Sequence, residues 1–118
     1  MFDFEKLDVY HKAKSFNKDV SIFLNTANSF DPISKNQLRR ASLSIMLNIA
    51  EGSGRFTNPD RRRFYVIARG STFECVALFD FLKDQAYLTD DSYAIFYKKA
   101  DELSRMLFAM VKRLSIQD

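Results

Sequence analysis

The chain has 118 residues, 47% hydrophobic and 28% charged, with a formal net charge of +3. That length holds one core rather than two, and that balance excludes both a disordered chain and a membrane-embedded one. Twelve Phe against three Gly and two Pro point to a few long elements with short loops, since a sandwich or barrel needs a turn signal every ~8–12 residues.

In the first segment Tyr10, Ala13, Phe16, Val20, Phe23, Leu24 and Ala27 recur at three- and four-residue steps. This predicts a helix over about 8–28 with Asp8 as its N-cap, broken by Asn28 through Pro32. A second helix, over about 32–53, opens at Asp31–Pro32, with Ser34 as the alternative cap. Its stripe is Leu38, Ala41, Ile45, Ile49 and Gly52. Leu43, Met46, Leu47 and Ala50 fall outside that stripe and are apolar too. A helix apolar nearly all round is expected to be covered on a second side, here by another subunit.

Gly52, Gly54 and the polar run to Asn58 end the second helix. Asn58–Pro59–Asp60 then reads as cap, first helical position and dipole-matched acid of a third helix over about 58–86. Phe64, Ile67, Ala68, Ser71, Cys75, Leu78 and Leu82 are expected to line it. Gly70 sits in mid-helix, where it costs about 1 kcal/mol relative to Ala, and so suggests close approach by a neighbouring backbone. Thr89, followed by Asp90 and Asp91, caps a fourth helix over about 89–115. Its stripe is Tyr93, Phe96, Tyr97, Ala100, Leu103, Leu107, Met110 and Leu114. Short loops force neighbours antiparallel, so the expectation is an all-α, single-domain, up-down-up-down four-helix bundle.

Lone Cys75 has no internal disulfide partner, which fits a reducing cytoplasm. The chain opens without a basic n-region and apolar stretch, and its apolar runs are interrupted by Arg, Asn or Glu. The sequence therefore reads as a soluble cytoplasmic domain without a membrane partner.

Polar residues also share helical faces. Arg40, Ser44, Asn48, Glu51 and Arg55 follow steps of four, four, three and four. Arg63, Gly70, Ser71 and Glu74 lie within similar reach on the third helix. Arg40, Asn48, Glu51, Arg69, Ser71 and Glu74 are thus expected to form a hydrogen-bonded network that fixes helix register. The competing reading makes Glu51 and Glu74 a carboxylate pair for metal or acid–base work. Di-iron bundles require Glu-x-x-His motifs, whereas the only histidine here is His11. Cys75 falls on the apolar stripe, and Gly52-Ser53-Gly54-Arg55 is too short for a phosphate-binding loop and lacks its lysine. No catalytic residue, metal ligand or cofactor is expected.

Charge is unevenly spread. Between Lys35 and Arg69 eight basic residues face two acids, a net of +6, which leaves −3 for the remainder. Arg61, Arg62 and Arg63 stand in succession at a helix start, where they oppose the macrodipole unless an anion docks. With Lys35, Arg39 and Arg55 they form the candidate nucleic-acid-binding set, and Phe56 and Tyr65 are the nearby rings for base stacking. The bland alternative is a solvated helix start with ordinary surface pairs.

The stretch Arg39-Arg40-Ala41-Ser42-Leu43-Ser44-Ile45-Met46-Leu47-Asn48-Ile49-Ala50-Glu51-Gly52, with Ala68-Arg69-Gly70-Ser71-Thr72-Phe73-Glu74 downstream, is distinctive. It resembles the four-helix bundle proteins encoded in intervening sequences of bacterial 23S ribosomal RNA genes. The opening Phe4-Glu5-Lys6-Leu7-Asp8-Val9-Tyr10 is similar to that family's start. It is also similar to the accessory variability protein of diversity-generating retroelements. The resemblance implies a bundle, a homo-oligomer that is a ring-shaped pentamer in several members, and association with nucleic acid, RNA or DNA. A protein-interaction adaptor that binds no nucleic acid is the alternative.

Overall fold

The computed structural model describes residues 1–26 and 31–117, with side chains through residue 115. A 3-10 turn over Asp3–Lys6 leads into α1 (Asp8–Thr26), α2 (Pro32–Ser53), α3 (Asn58–Asp84) and α4 (Asp90–Gln117). Expected Ala27 and the break at Asn28–Phe30 lie outside the described residues.

Cross-helix contacts fix the topology. Asn17 meets Ser42 and Asn25 meets Arg39. Ser44 meets Ser71, while Gly52 faces Tyr65. Phe79 stacks on Phe96, and Arg69 reaches Ser104. Lys12 pairs with Glu102 at 2.9 Å and Asp19 with Lys99 at 2.6 Å, which closes α1 onto α4. In every pair one number rises as the other falls, so all neighbours run antiparallel. The chain is the expected up-down-up-down bundle, 46 × 25 × 21 Å.

The core is aromatic at its middle. Phe79 and Phe96 stack with centroids 4.6 Å apart, and Phe16 stands edge-on to both. Val9, Val20 and Leu24 of α1, Leu38, Ile45 and Ile49 of α2, and Leu103 and Leu107 of α4 extend it along the axis. Ser42, buried beside these, donates to Asn17 Oδ1 at 2.8 Å, and Thr72 donates to the Ala68 carbonyl at 3.0 Å. No buried side-chain polar atom among the described residues lacks a partner.

Several local expectations change. The α3 cap is Thr57, extended at φ −109° and ψ 151°, whose hydroxyl accepts from the Asp60 amide at 3.3 Å. Asn58 is already helical and accepts from the Arg61 guanidinium at 3.0 Å instead. Asp8 is the first residue of α1 rather than its cap. Asp31, not Ser34, caps α2, accepting from the Ile33 amide at 3.1 Å. Thr89 does cap α4, through the Ser92 amide at 3.1 Å.

Helix α3 stops two residues early because Ala86 adopts φ 64°. Tyr87 N–H then donates to the Leu82 carbonyl at 2.9 Å and Ala86 N–H to that of Lys83 at 3.0 Å. These two bonds make a Schellman ending with alanine where glycine is usual. The inner line of α3 also shifts: Tyr65, Thr72 and Phe79 are buried, while Ile67 is 41% exposed. Alpha-3 packs between α2 and α4, so its inward face centres on Ala68, Thr72, Cys75 and Phe79.

The two mid-chain glycines exchange roles. A Cβ on Gly70 would meet nothing within 4 Å, so no backbone crowds it. One on Gly52 would stand 2.7 Å from Tyr65 Cε1 and 3.0 Å from Phe64 Cβ. The close approach that glycine permits is at the α2–α3 corner. No helix among the described residues is long and apolar enough to cross a membrane.

Candidate nucleic-acid interface

At that corner α2 ends at Ser53, and a four-residue connection leads to α3. Gly54 closes α2 by donating to the Glu51 carbonyl at 3.1 Å. Gly52 lets the Tyr65 ring and the Phe64 Cβ press against the end of α2. This fixes where the first turn of α3, with its three arginines, projects.

Asp60 organises those arginines. Its Oδ1 accepts from Arg63 Nη2 at 2.9 Å, and its Oδ2 lies 3.8 Å from Arg55 Nε. The Arg55 and Arg63 guanidinium carbons each lie 4.5 Å from the Phe64 ring centroid. Arg61 donates to Asn58, and both Arg61 and Arg62 are half-buried. The Arg55 and Arg63 guanidinium groups thus share one carboxylate, with Arg61 held by Asn58 in the same turns of α3. The adjoining groove is lined by Ala50, Glu51, Gly54, Arg55, Phe56 and Thr57.

Phe56 is 96% exposed at the tip of the connection. Tyr65, the other ring expected to stack on bases, is 5% exposed and belongs to the core. Burial raises its phenol pKa above the ordinary value of 10.0, against the lowering influence of Arg61. Only Phe56 is presented at this corner as a platform.

The candidate basic set does not form one surface. Lys35 and Arg39 lie near the start of α2, about 30 and 24 Å along the chain from Arg55 at 1.5 Å per residue. Arg39 there donates to Asn25 at 3.4 Å. The reason is simple: a straight 22-residue helix separates the two groups.

The polar network also divides. Ser44 and Ser71 share a hydrogen bond at 2.9 Å between α2 and α3. Asn48 donates to the Ser44 hydroxyl at 2.9 Å and to its carbonyl at 2.8 Å. Arg40, Glu51 and Glu74 are exposed beside this relay, and none of the three bonds another. Arg69 is two positions, or about 200°, from Ser71 around the helix, so it points toward α4. Its guanidinium donates to the Ser104 carbonyl at 3.3 Å and lies 4.7 Å from the Phe73 centroid.

Burial pushes the Cys75 thiol up to about 12, with Glu74 adding in the same direction. Such a thiol is not a nucleophile at neutral pH. His11 Nε2 lies 2.7 Å from the Glu5 carbonyl.

The sequence matches the family described as 23S rRNA-intervening sequence protein over residues 5–109. No curated protein matches it. Among solved structures, it is similar to a protein of unknown function from the S23 ribosomal protein family of Bacteroides thetaiotaomicron. That likeness has a TM-score of 0.81 at 21% identity and covers 88% of this chain and 98% of the other. With most of its length matched, the chain belongs to the 23S rRNA-intervening sequence protein family.

Proposed function

We propose that this chain is a non-enzymatic, cytoplasmic, homo-oligomeric bundle that binds nucleic acid, RNA foremost, at the α2–α3 corner. The observation that carries the reading is the corner itself. Arg55 and Arg63 share the Asp60 carboxylate there, Arg61 and Arg62 stand in the adjoining turns of α3, and Phe56 is fully presented beside them. Guanidinium forks suit phosphate oxygens, and a free aromatic face suits an unpaired base. The family's description ties its members to ribosomal RNA genes and supports RNA as the first ligand to test. Self-association, ring-shaped and pentameric as the resemblance implies, multiplies a weak patch into an avid one.

The test is fluorescence anisotropy with a labelled, structured ribosomal RNA fragment over a salt series. Phosphate contacts give a log–log slope of roughly −0.7 to −0.9 per neutralised phosphate. Replacing Arg61, Arg62 and Arg63 with Ala should weaken binding while far-UV circular dichroism stays native. Unchanged affinity in that variant removes the corner from the interface.

A second reading, an adaptor without nucleic-acid affinity, rests on Leu43 and Leu47, 42% and 50% exposed on the outer side of α2. It predicts a stable assembly that binds neither RNA nor DNA at low salt.

A further inference from the structure

Two exposed surfaces on either side of α3 match each other. One is the outer side of α2, where Arg40, Leu43, Leu47 and Glu51 follow steps of three, four and four. Leu43 and Leu47 are 42% and 50% exposed. The other is the groove between α3 and α4, lined by Phe73, Val76, Ala77, Asp80, Tyr97 and Ala100. Phe73 is 55% exposed there and Tyr97 49%.

Their charges fall at one spacing. Arg40 and Glu51 bracket the leucine ridge, eleven positions apart. Asp80 and Arg69 bracket the groove, also eleven positions apart. Each span is about 16 Å at 1.5 Å per residue. Laid antiparallel to α3, the ridge sets Arg40 on Asp80, Leu43 over the small Ala77, Leu47 on Phe73 and Glu51 on Arg69. Arg69 commits its Nε to the Ser104 carbonyl, and the other donors of a guanidinium suit a carboxylate. The parallel direction would instead set Arg40 on Arg69 and Glu51 on Asp80, like against like. Exposed ion pairs add little affinity, so the apolar fit carries the contact and the charges fix its direction.

Direction decides the assembly. Within each copy α2 already runs antiparallel to α3. A neighbour whose α2 lies antiparallel to that same α3 therefore has its whole bundle parallel to the first. Ridge and groove are different surfaces of one chain, and a head-to-tail contact repeated between parallel copies is what a cyclic ring requires. Every α2–α3 corner then lies on one rim.

We infer that the Leu43–Leu47 ridge of one copy docks in the α3–α4 groove of the next, antiparallel to its α3. This rests on the self-association in the proposed function and gives it two surfaces and a direction. The nucleic-acid part of that reading has no bearing on it.

Blocking one surface at a time tests the contact. Leu47→Glu spoils the ridge and keeps the groove, whereas Phe73→Glu spoils the groove and keeps the ridge. Both positions are exposed, so far-UV circular dichroism should stay native. Each variant alone should be monomeric by light scattering where the wild type assembles. Mixed in equal amounts, the two retain one good ridge and one good groove between them and should stop at a dimer. A variant that alone keeps the wild-type mass would overturn the proposal, and so would a mixture still monomeric at the highest soluble concentration. Disulfide linking checks the register separately. Leu43→Cys and Ala77→Cys proteins, unfolded and refolded together under mild oxidation, should give a covalent dimer that neither gives alone. The native thiol of Cys75 is buried and does not compete. Unlinked chains in a mixture that light scattering shows to be assembled would remove this contact and leave self-association standing. A monomeric wild-type chain removes both.

Discussion

Replacing each of two helical glycines by alanine should change stability in opposite directions. The common term is helix propensity, which favours Ala by up to about 1 kcal/mol in a helix interior. At Gly70 nothing opposes it: the added methyl meets no atom within 4 Å. Gly70→Ala should therefore stabilise the bundle by about 0.5–1 kcal/mol. At Gly52 the methyl would stand 2.7 Å from Tyr65 Cε1. That ring is 5% exposed and packed against the end of α2, so it has nowhere to retreat. Overpacking of this kind costs about 1–3 kcal/mol, which exceeds the propensity gain and leaves Gly52→Ala destabilised by about 1–2 kcal/mol. Urea denaturation followed by circular dichroism resolves this. With a slope near 2 kcal/mol per M, the Gly52→Ala midpoint should fall by roughly 0.5–1 M. A Gly52→Ala protein as stable as its parent would refute the close approach of α3 to the end of α2. A destabilised Gly70→Ala would refute the open face at Gly70.

Phe79→Ala removes the ring stacked on Phe96 and should cost about 3–5 kcal/mol, read from the same urea midpoints. Ala86→Gly should stabilise by about 1 kcal/mol, because glycine carries no Cβ penalty at the left-handed position that ends α3; thermal denaturation would show it. Ser71→Ala leaves Ser44 bonded to Asn48 but breaks the link between helices, and should cost about 0.5–1.5 kcal/mol in the same assay. Burial raises the Cys75 thiol from 9.0 to about 12, so between those values the unfolded chain releases a proton that the folded chain keeps. Stability complete below pH 9 is then lost as pH climbs toward 12, by up to about 1.4 kcal/mol per unit. Urea midpoints across that range should fall less steeply for Cys75→Ala; Tyr65, also raised by burial, keeps part of the slope in both proteins.

The bundle was legible because helix signals in this chain are local. Asp31–Pro32 and Thr89 cap through their own neighbouring amides, and the α2 stripe from Leu38 to Gly52 is buried as its spacing implies. The Ser44–Asn48 spacing likewise placed two members of the relay on one face. What periodicity did not reveal depends on tertiary contacts. Alpha-3 is apolar on its outer side as well as its inner one, so Ile67 and Tyr65 compete equally for the core and the phase is ambiguous. The end of α3 was hidden because Ala86 takes a conformation that sequence signals assign to Gly or Asn. Which glycine a neighbour crowds is a property of the corner, not of the glycine. Arg69 was grouped with Ser71 by nearness in sequence, although helical rotation sends it to the opposite groove. Lys35 joined the arginine corner by charge alone, and the length of α2 separates them.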